Sequence, residues 1–82
     1  MNRQAYVLTF LEHTVLFDKA NKGWGYDEGQ QIRDVYLLDT VTHHTGYTSF
    51  ILEMPIMGKR PRVEISSSVI SLTPQEEQEE ED

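Results

Sequence analysis

Turn-forming residues divide this chain into short apolar segments, and that spacing constrains the fold more than any other feature. Signals rich in glycine, proline, asparagine and aspartate recur about every 8–12 residues. The segments between them alternate apolar residues with polar or further apolar ones, and none has the 3.6-residue periodicity of an amphipathic helix. The pattern therefore predicts strands, which occupy residues 5–11, 14–17, 22–26, 32–38, 47–54, 62–65 and 69–72.

The length of 82 residues allows one small domain with a single core. The sequence has no cysteine and no cluster of ligands at zinc spacing, so packing alone must hold the fold together. We expect an all-β fold over residues 1–74: a small OB-like or SH3-like antiparallel barrel of five to seven short strands, closed or partly open. A helix is the competing interpretation of residues 5–11.

The net charge of −7 arises almost entirely at one end of the sequence. Residues 75–82 contain six of the fourteen acidic residues and no basic one, which leaves a net charge of −1 for residues 1–74. This segment is too acidic and too poor in apolar residues to fold alone, so we expect a disordered tail. The nearly neutral body is compatible with an anionic ligand.

The segment Lys-Gly-Trp-Gly-Tyr at residues 22–26 has an unusual distribution of side chains. In a strand, Trp24 and Tyr26 point to one face, while the two glycines leave the other face bare. Such a face is either part of the core, which is the more frequent use of large aromatics, or an open platform for flat ligands. The five residues alone favour the core.

Residues 14–26 resemble, without a gap, the opening of cold-shock domains, which are five-stranded OB-type barrels. In that family a Lys-Gly-aromatic-Gly-aromatic motif follows a short turn, and Asp34-Val35-Tyr36-Leu37 resembles its second motif. The resemblance implies binding of single-stranded RNA or DNA, whose bases would stack on a platform of four aromatic residues with Lys22 beside it. These are Phe17, Trp24, Tyr26 and Tyr36.

Three positions depart from the cold-shock pattern. Leu38 replaces a stacking histidine, Asp18 replaces a second aromatic, and Asp27 follows Tyr26 where that family has isoleucine or valine. Each departure reduces the platform or adds negative charge to it. The strand at residues 5–11 is also additional to the family pattern, so the resemblance is strongest over residues 14–26 and 34–37.

A second cluster of basic residues lies at the predicted turn over residues 57–61. Lys59, Arg60 and Arg62 are either a solvated turn or, together with Lys22, the positive charge that meets phosphates in nucleic-acid binding. The acidic tail would then compete with nucleic acid for these cations, recruit a partner, or only improve solubility. Its acidic residues are Glu76, Glu77, Glu79, Glu80, Glu81 and Asp82.

Two other classes of function remain open at this point. The chain is also compatible with a small protein-binding inhibitor or adaptor of the phage or mobile-element type, which meets a basic host protein through its tail or its aromatic face. It is compatible as well with a subunit that completes its sheet with another chain, through residues 47–54 or the first strand.

Enzymatic and metal-dependent functions find little support in the sequence. It has no cysteine nucleophile, no glycine-rich phosphate loop and no His-Glu metal motif, so we expect neither catalysis nor a cofactor. His43 and His44 are adjacent and would face opposite ways in a strand, which disfavours a shared metal. No apolar run approaches the ~18 residues that span a bilayer, and we expect a cytoplasmic protein.

Overall fold

The computed structural model describes residues 4–17 and 21–76, and this part of the chain is all-β. No helix occurs within these ranges, which confirms the predicted fold class and the strand interpretation of residues 5–11. The seven strands are β1 (Ala5–Phe10), β2 (Thr14–Phe17), β3 (Gly23–Tyr26), β4 (Gln31–Thr42), β5 (Thr48–Glu53), β6 (Arg62–Ser66) and β7 (Ile70–Pro74).

Five of the strands form one antiparallel sheet in the order β6-β5-β4-β1-β7, and β2 and β3 form a separate hairpin. The hairpin is inserted in the chain between β1 and β4, two strands that pair with each other. A closed barrel requires its two outermost strands to pair. Within the described ranges β6 and β7 do not pair, so the sheet is open and the expectation of a closed barrel is corrected.

Strand β4 is long because it pairs with different neighbours along its length, and two bulges bend it. In the first bulge Arg33 and Asp34 lie opposite the single residue Val7 of β1, and the Asp34 backbone is left-handed with φ 63°. In the second, Leu38 is the extra residue in the pairing with β5. The bends let one strand connect the β1–β7 pair to the β5–β6 pair.

Side chains from two distant segments hold the first bulge in place. The Gln75 amide donates to Asp34 Oδ1 at 2.9 Å and accepts the Asp34 N–H at 2.8 Å, while the Gln75 N–H donates to the Ala5 carbonyl at 2.8 Å. The Arg60 guanidinium donates to the Asp34 carbonyl. Gln75 is therefore bonded to the folded body. Glu76 after it is exposed, and the remaining tail residues lie outside the described ranges.

The core lies where the inner face of the β2–β3 hairpin meets the five-stranded sheet. Leu16 of the hairpin belongs to the same buried cluster as residues from β1, β4, β5, β6 and β7, and Trp24 and Tyr26 pack against that cluster. Its buried members are Leu8, Phe10, Leu16, Val35, Leu52, Met54, Ile56, Val63, Ile65 and Ile70. The hairpin thus depends on the sheet for burial of its apolar face.

Candidate nucleic-acid interface

The two faces of the β2–β3 hairpin have different environments. In the register of the hairpin Leu16 lies opposite Trp24, and Phe17 lies opposite Gly23. Directly opposed residues share a face, so Trp24 lies on the inner face and Phe17 on the outer face, together with Val15. Phe17 is 61% exposed and Val15 is 46% exposed. Phe17 and Trp24 therefore do not form one stacking surface of the kind that the cold-shock resemblance implies.

The ring of Tyr26 packs against the core. Its ring stacks on that of Phe10, with 4.6 Å between the centroids and an angle of 7° between the planes. Phe10 is fully buried, and burial raises the pKa of the Tyr26 phenol above its usual value by desolvating the phenolate. One face of the Tyr26 ring is therefore core, which is the role that residues 22–26 alone had favoured.

Arg60 links Tyr36 to the bulge of β4. Its guanidinium carbon lies 5.1 Å from the centroid of the Tyr36 ring, and its Nε lies 3.7 Å from Glu53 Oε2. With the hydrogen bond to the Asp34 carbonyl, these contacts fix the direction of the side chain. Arg60 thus supplies positioned positive charge, part of which Glu53 offsets.

A cleft of about 370 Å³ lies between the start of β3 and the connection from β5 to β6. Three of its lining residues are cationic, and the others present a tryptophan and apolar side chains. The residues that line the cleft are Lys22, Trp24, Ile56, Met57, Lys59, Arg60 and Pro61. Three of the seven basic residues of the chain therefore meet at one partly apolar surface.

Lys22 and Trp24 contact each other within the cleft. The Lys22 ammonium lies over the indole, with its Nζ 5.3 Å from the ring centroid, a distance at which the two attract. A flat ligand that stacks on this face of the indole must therefore displace Lys22. The displaced ammonium would remain near enough to meet an anionic group of the same ligand, because its side chain is long and flexible.

A tight turn at residues 56–59 forms one wall of the cleft. The backbone N–H of Ile56 donates to the Lys59 carbonyl at 2.8 Å, and the N–H of Lys59 donates to the Ile56 carbonyl at 2.9 Å. Met57 and Gly58 both have left-handed backbones, with φ 51° and 79°. Positive φ angles at both central residues are typical of a type I′ turn. This turn places Met57 and Lys59 at the cleft.

The structure brings together half of the predicted binding residues. Lys22, Trp24, Lys59 and Arg60 line the cleft, whereas Phe17, Tyr26, Tyr36 and Arg62 do not. Arg62 is exposed on the edge strand β6, opposite Glu53. The sequence did not predict Ile56, Met57 or Pro61 as site residues, because their proximity to the start of β3 is a tertiary one. A methionine before glycine in a tight turn was the only local signal.

A second cluster of polar side chains superficially resembles a catalytic triad. His43 Nε2 lies 3.3 Å from both Ser49 Oγ and Glu64 Oε2. A serine triad needs the serine on one ring nitrogen and the acid on the other, whereas here both contact the same nitrogen. Ser49 is also only 3% exposed. The cluster does not have the geometry of a triad and instead joins the residue that follows β4 to β5 and β6.

Comparison with family models, with curated proteins and with solved structures finds no match for this chain. The cold-shock resemblance thus has no support beyond the residues that carry it. Over the described part of the chain, no helix is long and apolar enough to cross a membrane, and no group of three or more potential ligands is arranged for a metal ion.

Proposed function

We propose that the cleft binds single-stranded nucleic acid with little sequence preference. The main support for this proposal is that Lys22, Lys59 and Arg60 line the same cleft as Trp24. The body around this cleft has a net charge of only −1. Cations attract the phosphates, and an indole beside apolar side chains accepts a base. The mode of binding differs from the four-residue platform, because Phe17 lies on the opposite face of the hairpin.

The size and chemistry of the cleft favour single strands over duplexes. Its volume of about 370 Å³ lies in the lower part of the ~300–1,000 Å³ range of small-ligand sites, which suits one base with its phosphate. Bases in a duplex are stacked and paired, and extracting one costs several kcal/mol. Because every base has a flat face, contact with the indole does not by itself select a sequence.

Titration of a labelled single-stranded oligonucleotide with the full chain tests the proposal. We expect binding at low salt, a change in the fluorescence of Trp24, the one tryptophan in the sequence, and weaker binding to the matching duplex. If three cations neutralise phosphates, log K should fall with log salt with a slope of about −2, since each contact contributes about −0.7 on single strands. Absence of binding at low salt, or binding without salt dependence, would reject the proposal.

We further propose that the acidic tail competes for the cleft. Its first residue, Gln75, contacts Asp34, whose carbonyl accepts a hydrogen bond from the cleft residue Arg60, so the tail leaves the body close to the cleft. In the same titration, a chain shortened to end at Gln75 should bind more tightly than the full chain at low salt. The difference should fade at physiological salt, where the Debye length is about 8 Å. Equal affinities at low salt would argue against competition.

The exposed outer face of the hairpin supports the alternative, a protein-binding inhibitor or adaptor of the phage or mobile-element type. Phe17 and Val15 are exposed side by side there. Gly23, which lies opposite Phe17, has no side chain that could cover them. Exposed apolar groups of this kind are frequent in protein interfaces. This function would use Phe17 and not the cleft, so loss of a partner on Phe17→Ser with unchanged cleft residues would favour it.

A further inference from the structure

Met57 combines a strained backbone with an exposed apolar side chain. Its φ of 51° lies in the left-handed region, which non-glycine residues other than asparagine and aspartate seldom adopt. The residue is 78% exposed, so the fold gains little from burying its side chain. Type I′ turns favour Asn-Gly at these two positions. Stability of the fold therefore gives no reason for a methionine at residue 57.

The position of Met57 relative to the cleft supplies such a reason. Met57 lines the cleft together with Trp24 and two lysines, Lys22 and Lys59. A thioether on three rotatable bonds is polarizable and adapts to different shapes, and it makes favourable contacts with aromatic rings. The type I′ turn holds this side chain out from the body, where a ring that enters the cleft would meet it.

We infer that Met57 is a base-contacting residue, held at the cleft by the strained turn at residues 56–59. This inference rests on the proposed function and adds to the Trp24 indole a second group that contacts bases of any identity. Lys22, Lys59 and Arg60 would bind the phosphates. Asparagine, which adopts the left-handed region more readily, would remove the apolar contact.

Two substitutions separate a role in binding from a role in folding. Met57→Asn relieves the left-handed strain, and we expect its Tm to equal or exceed that of the wild type. Its affinity for a single-stranded oligonucleotide should nevertheless fall about 2- to 10-fold, because the apolar contact with the base is lost. Met57→Leu keeps both the strain and an apolar side chain, so its affinity should stay within about twofold of the wild type.

The outcomes distinguish this inference from the proposed function. If the wild type binds the oligonucleotide and Met57→Asn binds it equally well, the inference about Met57 is overturned and the cleft proposal stands. If Met57→Leu loses as much affinity as Met57→Asn, an apolar side chain is not sufficient and the inference is likewise overturned. A wild-type chain that binds no oligonucleotide overturns both proposals.

Discussion

Replacing Phe10 by alanine is expected to lower the free energy of unfolding by about 3–5 kcal/mol. Phe10 is fully buried and carries the stacked ring of Tyr26, so its loss opens a cavity between the sheet and the hairpin. Domains of this size are stabilised by only roughly 5–15 kcal/mol in total. Urea denaturation followed by circular dichroism should show a large shift of the midpoint, or a chain that is already partly unfolded in water.

Phe17→Ala is the matched control for this prediction. Phe10 belongs to β1 of the sheet, whereas Phe17→Ala removes a phenylalanine side chain from the outer face of the hairpin, where Phe17 is exposed and its ring lies over Gly23. We expect a change of less than about 1 kcal/mol, as for most surface substitutions. A loss at Phe17 as large as that at Phe10 would mean that the two faces of the hairpin have been assigned the wrong way round.

The double substitution Lys22→Glu with Lys59→Glu is expected to reduce the affinity for single-stranded oligonucleotides at least about tenfold at low salt. Each change replaces an attraction to phosphate by a repulsion, and both residues line the cleft. The slope of log K against log salt should also become shallower by about 1.4, because two counterion-releasing contacts are lost. Fluorescence anisotropy of the labelled oligonucleotide measures both quantities.

A control with the same change in net charge separates the cleft from general electrostatics. Arg33 and Arg62 are exposed and lie outside the cleft lining, so Arg33→Glu with Arg62→Glu alters the total charge equally. We expect this variant to retain most of the affinity and of the salt slope. Equal losses in the two double variants would show that binding follows the net charge of the chain and not the cleft.

Local alternation was sufficient to predict the strands but not the way in which they assemble. The interpretation of residues 32–38 as one strand stopped too early, because β4 continues to Thr42 across a bulge at Leu38. A bulge shifts the alternation by one residue, which conceals the continuation in the sequence. The open sheet was equally hidden, since pairing between β6 and β7 is a question of tertiary geometry.

The candidate site shows the same limit at the level of single residues. Alternation places Trp24 and Tyr26 on one face, but only the contact of Tyr26 with Phe10 decides that this face meets the core. The basic turn at Lys59 and Arg60 was visible in the sequence, whereas its approach to Lys22 and Trp24 was not. Met57 was not predicted as a site residue, because its left-handed backbone cannot be deduced from residue type alone.

The most direct test of the cleft is a map of chemical-shift changes in the ¹⁵N–¹H spectrum of the full chain during addition of a single-stranded oligonucleotide at low salt. We expect the indole N–H of Trp24 and the amides of Met57 and Lys59 to shift together with one affinity. The amides of Val15 and Phe17 on the outer face should stay in place. Shifts centred on Val15 and Phe17, with the Trp24 indole unchanged, would show that the ligand binds the outer face of the hairpin and not the cleft.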